Sequence, residues 1–426
     1  MTSPRTLAGR FRRLRGHLDE PCDAAGLAAF RVMFGVLMLL AVVRFASLGW
    51  IGELYAAPAF HFTYLGFDWV RPWPLWGLYL HFALMALSAT ALALGFKTRV
   101  SACVFFVLFT YAELLEKSAY LNHYYLVTLL GFLLVLVPAG ASWSIDARRR
   151  GRECTVARWH YWLFRAQLSL VYFYAGAAKL NPDWLWQGEP LRLWLGTFTD
   201  TPVLGAFVEQ RWLATGMSWA GALYDLSVAP LLMWRKTRAF AFGAAVVFHV
   251  SVWLMFPIGI FPWVMLVGAT LFFEPDWPRR WLTRSSSRAG SSSQPSVPRA
   301  TPAALLVVVG VHLIVQVLVP LRFLLYPGWV NWSEEGFRFA WRVMLVEKAG
   351  QVEFEVVVPS ARKRFQVFPR RELTPLQYRM MATQPDMIHQ YALHLKHRYA
   401  ERGYPDAQVY ARAWVSLNGR PSHALI

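Results

Sequence analysis

Charged residues are few in this chain, lysines fewer, and cysteines almost absent. Of 426 residues only 16% are Asp, Glu, Lys or Arg, whereas 56% are hydrophobic and 16% aromatic. That leaves too little polar surface for a soluble globular protein of this length, so a lipid bilayer is the expected solvent. The three cysteines, Cys22, Cys103 and Cys154, fall in two expected cytoplasmic segments and one span. Their placement leaves no pair for an outer-face disulfide and no thiolate metal site. There is no HExxH, no CxxC, no phosphate-cradling glycine loop and no GxSxG, and His81, His160 and His312 show no ligand spacing. No metal, no nucleotide and no serine nucleophile are expected.

The balance of 43 basic against 25 acidic residues, a formal net charge of +18, would suggest nucleic acid as the partner of a soluble protein. Only seven of the 43 are lysines, and most arginines sit in short segments between apolar runs. A membrane protein keeps its cytoplasmic loops basic, so the bilayer is the expected partner and nucleic acid is not.

A spanning helix needs about 20 apolar residues, roughly 17 when flanking side chains snorkel. Nine runs qualify or come close, near Gly26–Gly49, Leu75–Phe96, Val100–Leu115, Tyr124–Pro138, Trp159–Lys179, Met217–Trp234, Ala239–Phe256, Ile258–Phe273 and Ala303–Leu325. The runs starting at Val100, Tyr124 and Ile258 are short, which allows one broken or re-entrant segment. Loop charge alternates across this count. Arg5, Arg10, Arg12, Arg13 and Arg15, then Lys97 and Arg99, then Arg148–Arg150, Arg152 and Arg158, and then Arg235, Lys236, Arg238, Arg279 and Arg280 fall on one side. The opposite loops are poor in basic residues, so the N-terminus is predicted cytoplasmic and the C-terminal domain extracytoplasmic. The first run is too long, and lacks the small-residue site, for a cleaved signal peptide.

The expected fold is mainly α, a polytopic membrane helical bundle of about nine spans with a small α+β extracytoplasmic domain. A basic N-terminus covers 1–25, the transmembrane domain 26–325 with a Ser-, Pro- and Arg-rich cytoplasmic linker at 283–301, and the C-terminal domain 326–426. Within the last, FRFAWRVMLV, VEFEVVV and VYARAWVSL alternate like strands, and a helical stretch surrounds Met387–Arg402. At roughly the minimum size for an independent core, it either folds alone or rests on the membrane surface or the loops.

Ionisable groups at membrane depth cost several kcal/mol and mark candidate chemistry. Lys179 ends SLVYFYAGAAKLNPDW, where Ala175–Ala178 permit close approach by a helix or ligand. A desolvated lysine tends toward the neutral amine, a base; a snorkelling lysine anchoring the helix end explains the same residue. The loop ELLEKSAYLNHYYL puts Glu113, Glu116, Lys117, Asn122 and His123 at the same face. Asn122 and His123 suit a developing oxyanion, or else cap a helix and join an interfacial aromatic belt. Glu116 and Lys117 also read as a surface ion pair. His249 in a span is ordinarily hydrogen-bonded packing. Asp225 needs a partner or a proton, which Arg31 or Arg44 of the first span would supply, with Arg44 also near enough to the outer face for an anionic group.

The strings LLEKSAYLNHYYL, VYFYAGAAKLNPDW, LYDLSVAPLL, FHVSVWLMFPIGIFPWVML and AQVYARAWVSLN resemble, in order and spacing, the vitamin K-dependent γ-glutamyl carboxylase family, as a bacterial-type homologue with an HTTM-type membrane domain. The resemblance extends from about Ala28 onward and includes RPWPL and FLLYPGWVNWSEEGFRFAWRVML. It implies that Lys179, in GAAKLNPDW, is the base that deprotonates vitamin K hydroquinone. It further implies O2 and CO2 as co-substrates, oxygenation of the quinol to its epoxide, and γ-carboxylation of glutamate, with neither metal nor biotin. By the same resemblance His123, with Asn122 beside it, steers CO2 or stabilises an oxyanion, and His249 lines the quinol pocket. Arg44 and Asp225 join His249 as candidate cofactor-binding residues.

Two departures limit what carries over. The animal enzymes continue well beyond the position matching Ile426, with extracytoplasmic surface for a substrate propeptide, and they carry a cysteine pair without counterpart here. Quinol chemistry is therefore expected more firmly than carboxylation of a protein or peptide glutamate. The alternative is a non-catalytic quinone- or lipid-binding, or partner-anchoring, membrane module. A transporter fits less well, because the runs show no repeat and no paired broken helices.

Overall fold

The computed structural model describes residues 13, 15–202, 204–283 and 301–426. The arginines before residue 13 and most of the linker expected at 283–301 lie outside the described residues.

Each apolar run folds as a helix: α1 (Ala25–Ser47), α2 (Leu75–Leu94), α3 (Thr98–Leu114), α4 (Asn122–Leu136), α5 (Trp159–Ala178), α6 (Arg211–Met233), α7 (Arg238–Met255), α8 (Phe261–Ala269) and α9 (Ala303–Leu318). The last two continue as 3-10 turns, Thr270–Phe272 and Val319–Leu325. Proline and glycine set the ends of α2. Pro74 precedes it, and Gly95, with φ 66, closes it by turning its N–H back to Ala91 and Leu92. Among the described residues four helices are both long and apolar enough to cross a bilayer: Ala25–Ser47, Leu75–Leu94, Arg238–Met255 and Ala303–Leu325. Asn122–Leu136 and Phe261–Phe272 are apolar but shorter. Fifteen residues of helix rise only about 22 Å, against a hydrocarbon core of about 30 Å.

The packing is that of a protein dissolved in lipid. On α9 the exposed side chains are apolar, among them Val307, Val311, Ile314 and Leu318, whereas His312 and Gln316 are buried. His312 Nε2 lies 2.9 Å from Gln167 Oε1 of α5, Gln167 donates to Gln316 Oε1 at 3.2 Å, and Gln316 donates to the Tyr125 hydroxyl at 3.0 Å. Between lipid-facing helices no hydrophobic gain drives association, and such buried hydrogen bonds supply it instead.

Arg31 of α1 is fully buried, yet it is not the partner of Asp225 that the sequence suggested. Its guanidinium donates to the carbonyls of Trp143 at 2.6 Å, Ala139 at 3.0 Å, and Ala93 and Ser142 at 3.4 Å. These carbonyls lie at and beyond the ends of α2 and α4, so Arg31 satisfies backbone that those helices leave unpaired.

The C-terminal region forms an antiparallel sheet in the order β2-β1-β3-β4, from β1 (Lys348–Val358), β2 (Lys363–Val367), β3 (Gln408–Leu417) and β4 (His423–Ala424). Two helices, α10 (Pro375–Met381) and α11 (Pro385–Glu401), belong to the same region. VEFEVVV lies in β1 and VYARAWVSL in β3, and the expected helix is α11. FRFAWRVMLV is not a strand, which corrects the reading from alternation. Phe339, Trp341 and Met344 carry φ of 60, 57 and 55, which breaks the extended period. Trp341 is buried with the core of the membrane bundle and stacks on Tyr125 at 5.0 Å. The segment wraps the helices rather than pairing with the sheet.

The domain rests on the loops. Phe62, between α1 and α2, is buried in the same cluster as Phe354, Val356, Tyr391 and Leu395. Gln377 donates to the Phe60 carbonyl at 2.7 Å and to Glu116 at 2.8 Å.

Candidate functional site

Lys179 is the C-cap of α5, where its backbone N–H turns back to Ala177 and Gly176. Its side chain does not snorkel; the residue is 6% exposed. Nζ donates to Asp225 Oδ2 at 2.7 Å and to the Ala175 carbonyl at 3.4 Å, and lies 5.3 Å from the centre of the Trp184 ring. The helices can approach this closely because of Gly176: a Cβ there would fall 2.7 Å from Leu226 Cγ and 3.0 Å from the Leu226 backbone N. Asp225 precedes Leu226, and Lys179 follows Gly176 by three residues, so the contact that seats one helix on the other also joins the two charges.

Asp225 therefore has Lys179 as its partner, not Arg31 or Arg44. Arg44 stays on the exposed surface of α1, 4.9 Å over Trp50.

Tyr172 sits two turns before Lys179 on the same face of α5, and its hydroxyl is 3.2 Å from His249 Nε2 of α7. His249 is buried among Tyr224, Phe248 and Phe261, with ring centres 6.0, 5.4 and 5.7 Å away. Among the described residues its Nδ1 is buried without a hydrogen-bond partner. Phe261 also faces His123, at 5.9 Å, and Tyr124 lies 4.6 Å from the same imidazole. Gly259, φ 62, turns the chain over His123: a Cβ there would meet only Nε2, at 4.0 Å. Among the described residues His123 makes no hydrogen bond through its ring. His249 and His123 are thus linked through one set of aromatic rings, and Asp225 directly follows Tyr224 of that set.

Asn122 opens α4 without capping it, since the N-cap is Leu121 and makes no side-chain bond. Its Oδ1 accepts from the Tyr120 hydroxyl at 2.9 Å and its amide donates to the Arg342 carbonyl at 3.2 Å. Glu116 and Lys117 are not a surface ion pair. Both are buried, and each has another partner. Glu116 lies 3.2 Å from His61 Nδ1 and accepts from Ser118 N–H at 3.0 Å. Lys117 Nζ donates to Asp386 Oδ2 of α11 at 3.0 Å, and Arg338 shares that oxygen at 2.8 Å. Burial pushes the Asp386 carboxyl up, but Arg338 and Lys117 outweigh it and hold it below the ordinary carboxylate value. Burial also lowers the Lys117 amine, and Asp386 offsets only part of that.

Three residues near Lys179 went unnoticed in the sequence: Tyr172, Trp184 and Asp183. Tyr172 was legible as the position seven before Lys179 on one helical face. Trp184 and Asp183 carried no such signal, because their partners come from distant segments: Ser218 O accepts from Trp184 Nε1 at 2.7 Å, and Arg420 donates to both oxygens of Asp183.

The family model of the HTTM domain matches residues 19–277, and that of the vitamin K-dependent gamma-carboxylase lumenal domain matches residues 301–426. The chain belongs to the vitamin K-dependent γ-glutamyl carboxylase family. Between them the two matches cover the helical bundle with its Lys179 cluster and the sheet domain that rests on it. No solved structure matches the chain.

Proposed function

We propose that this carboxylase-family protein is a vitamin K hydroquinone-dependent membrane enzyme whose base is Lys179. The observation that carries the reading is the buried 2.7 Å contact between Lys179 and Asp225, next in sequence to Tyr224 of an aromatic cluster in which His249 Nδ1, among the described residues, has no hydrogen-bond partner. A quinol suits these residues: a flat apolar ring system for the aromatic side chains, and two hydroxyls for an amine and an imidazole.

Moving the proton from Nζ to Asp225 Oδ2 across their hydrogen bond turns two buried charges into a neutral amine and a neutral acid. Charge separation is costly in such surroundings, so the pair can present an unprotonated amine without leaving a lone buried charge. Lys179 then takes the proton of a quinol hydroxyl, and the ammonium that results has Asp225 and the face of Trp184 beside it. Vitamin K hydroquinone, once deprotonated and oxygenated, supplies the strong base that takes a γ-proton from glutamate before CO2 adds. His249, oriented by Tyr172, hydrogen-bonds the quinol through Nδ1. His123, with its ring nitrogens unpaired, receives the oxyanion or CO2. The role first considered for Asn122 passes to His123, because the Asn122 amide is engaged at both ends; Asn122 fixes the start of α4 against the C-terminal domain.

In this proposal α1 to α9 cross or enter the bilayer, giving about nine spans with the short α4 and α8 among them. The N-terminus is cytoplasmic and the domain at 326–426 extracytoplasmic, as the alternation of basic loops indicates. A lipophilic quinol and a water-borne glutamate then meet at the outer boundary, where Lys179 ends its helix.

The test is Lys179→Ala in membranes supplied with reduced vitamin K and labelled bicarbonate, with and without a glutamate peptide. Quinol-dependent epoxide formation should fall by at least about 100-fold. Epoxide formed at the wild-type rate removes Lys179 from the role of base. Quinone binding with no turnover by the wild-type protein would leave a binding module.

A further inference from the structure

Four residues beyond Lys179 the chain reaches Asp183, the first residue of a single π-helical turn, Asp183–Gln187. Asp183 is 5% exposed, and all its side-chain partners come from the far end of the chain. Arg420 Nη1 donates to Oδ2 at 2.8 Å and Nη2 to Oδ1 at 2.5 Å, a two-pronged clamp, while Asn418 Nδ2 donates to Oδ2 at 3.0 Å. Arg420 Nη2 also reaches Gln187 Oε1 at 3.2 Å, at the other end of the same turn. Planar guanidinium against planar carboxylate fixes orientation as well as distance.

The donors are themselves held. Asn418, φ 52, exchanges hydrogen bonds with Glu347 before β1, giving N–H to its carbonyl at 2.8 Å and accepting its N–H at 2.9 Å. A Cβ on Gly419 would lie 3.2 Å from Leu193. The turn after β3 is thus wedged between the Asp183 turn and the segment bearing Leu193. Trp184, next to Asp183, is fixed by its Nε1 bond to Ser218 O, packs with Ala222 and Leu345, and presents its ring to the Lys179 amine.

We propose that Asp183 and Arg420 are a positioning pair, through which the C-terminal domain sets Trp184 against Lys179. The domain is on this account a structural part of the base site, and removing Arg420 lets the Asp183–Gln187 turn and the Trp184 ring move off the amine. The proposal rests on the reading of Lys179 as the base for its catalytic consequence, but not for its geometry.

The test uses the full chain in nanodiscs and measures how fast acetic anhydride acetylates Lys179, by peptide mass spectrometry, with exposed Lys97 as internal control. Arg420→Ala and Trp184→Leu should each raise the Lys179 rate by about fivefold or more at an unchanged Lys97 rate. Arg420→Lys, which keeps the charge and loses the fork, should fall between wild type and Arg420→Ala. In the Trp184→Leu background, Arg420→Ala should add nothing, because both act through one contact. Full additivity, or a Lys179 rate unmoved by Arg420→Ala, overturns the proposal. Turnover measured on the same variants separates the two readings. Coupled labelling with wild-type turnover in Lys179→Ala sinks Lys179 as base and keeps the positioning pair. Uncoupled labelling, with turnover lost in Lys179→Ala, sinks the positioning pair alone.

Discussion

Two lysine–aspartate pairs divide the labour in this protein. Lys179–Asp225 joins two helices of the bundle, α5 and α6, at 2.7 Å, with both side chains buried. Lys117–Asp386 joins a bundle loop to the C-terminal domain at 3.0 Å, with Asp386 about half exposed and shared with Arg338. The first pair sets one basic side chain against one acidic one, both less than a tenth exposed. The second has a spare cation and solvent. Removing a partner should therefore be severe in one place and mild in the other.

The sharpest way to break that contrast is Asp225→Asn, which leaves the Lys179 amine buried without its counter-charge. A loss of about 3–5 kcal/mol is expected, read as a large fall in melting temperature in detergent. Lys179→Leu combined with Asp225→Leu should regain most of that stability without regaining turnover. Equal melting of the single and double variants would show that the pair is not an energetic unit.

Next in size is Gly176→Ala, which places a methyl group against Leu226 and forces α5 and α6 apart. Overpacking of this kind costs about 1–3 kcal/mol, and turnover should drop with it because the Lys179–Asp225 bond lengthens. Wild-type melting together with wild-type turnover would mean that the helices have room to spare. Lys117→Met should cost about 1 kcal/mol or less, since Asp386 keeps Arg338 and solvent; a loss as large as that of Asp225→Asn would erase the distinction.

The smallest effect concerns pH. The Asp386 carboxyl is held below its ordinary value of 3.8, so its contribution is fully present above that value and lost as pH falls through the lower folded value. Hydrogen exchange in Lys117–Ala119 and at the start of α11 should accelerate as pH drops below about 4, after correction for the intrinsic pH dependence. Asp386→Asn should remove that step. An unchanged step in the variant would assign it to another carboxylate.

Much of this arrangement could be read from the chain. Each of the nine apolar runs folded as a helix, and the two central strands of the C-terminal sheet followed from the alternation in VEFEVVV and VYARAWVSL. Lys179, Asp225 and His249 stood out because ionisable groups between apolar neighbours are rare. Their pairing did not stand out. Arg31 and Arg44 were the partners the sequence offered Asp225, and only the structure shows Lys179 in that place and Arg31 on backbone carbonyls. FRFAWRVMLV looked like a strand because alternation registers a two-residue period but not what each face touches.

Composition and local pattern pointed to a membrane protein of apolar helices, to where along the chain those helices run, and to the few ionisable residues that interrupt them. These properties depend on single residues and near neighbours, through hydropathy, helix periodicity and the local effects of Pro and Gly. Which charges meet, which rings surround His249 and His123, and that the C-terminal domain holds both site-bearing loops were decided only in three dimensions. Lys179 and Asp225 are 46 positions apart and Asp183 and Arg420 are 237 apart, and at such separations a contact depends on how whole helices and sheets pack, which no local pattern encodes.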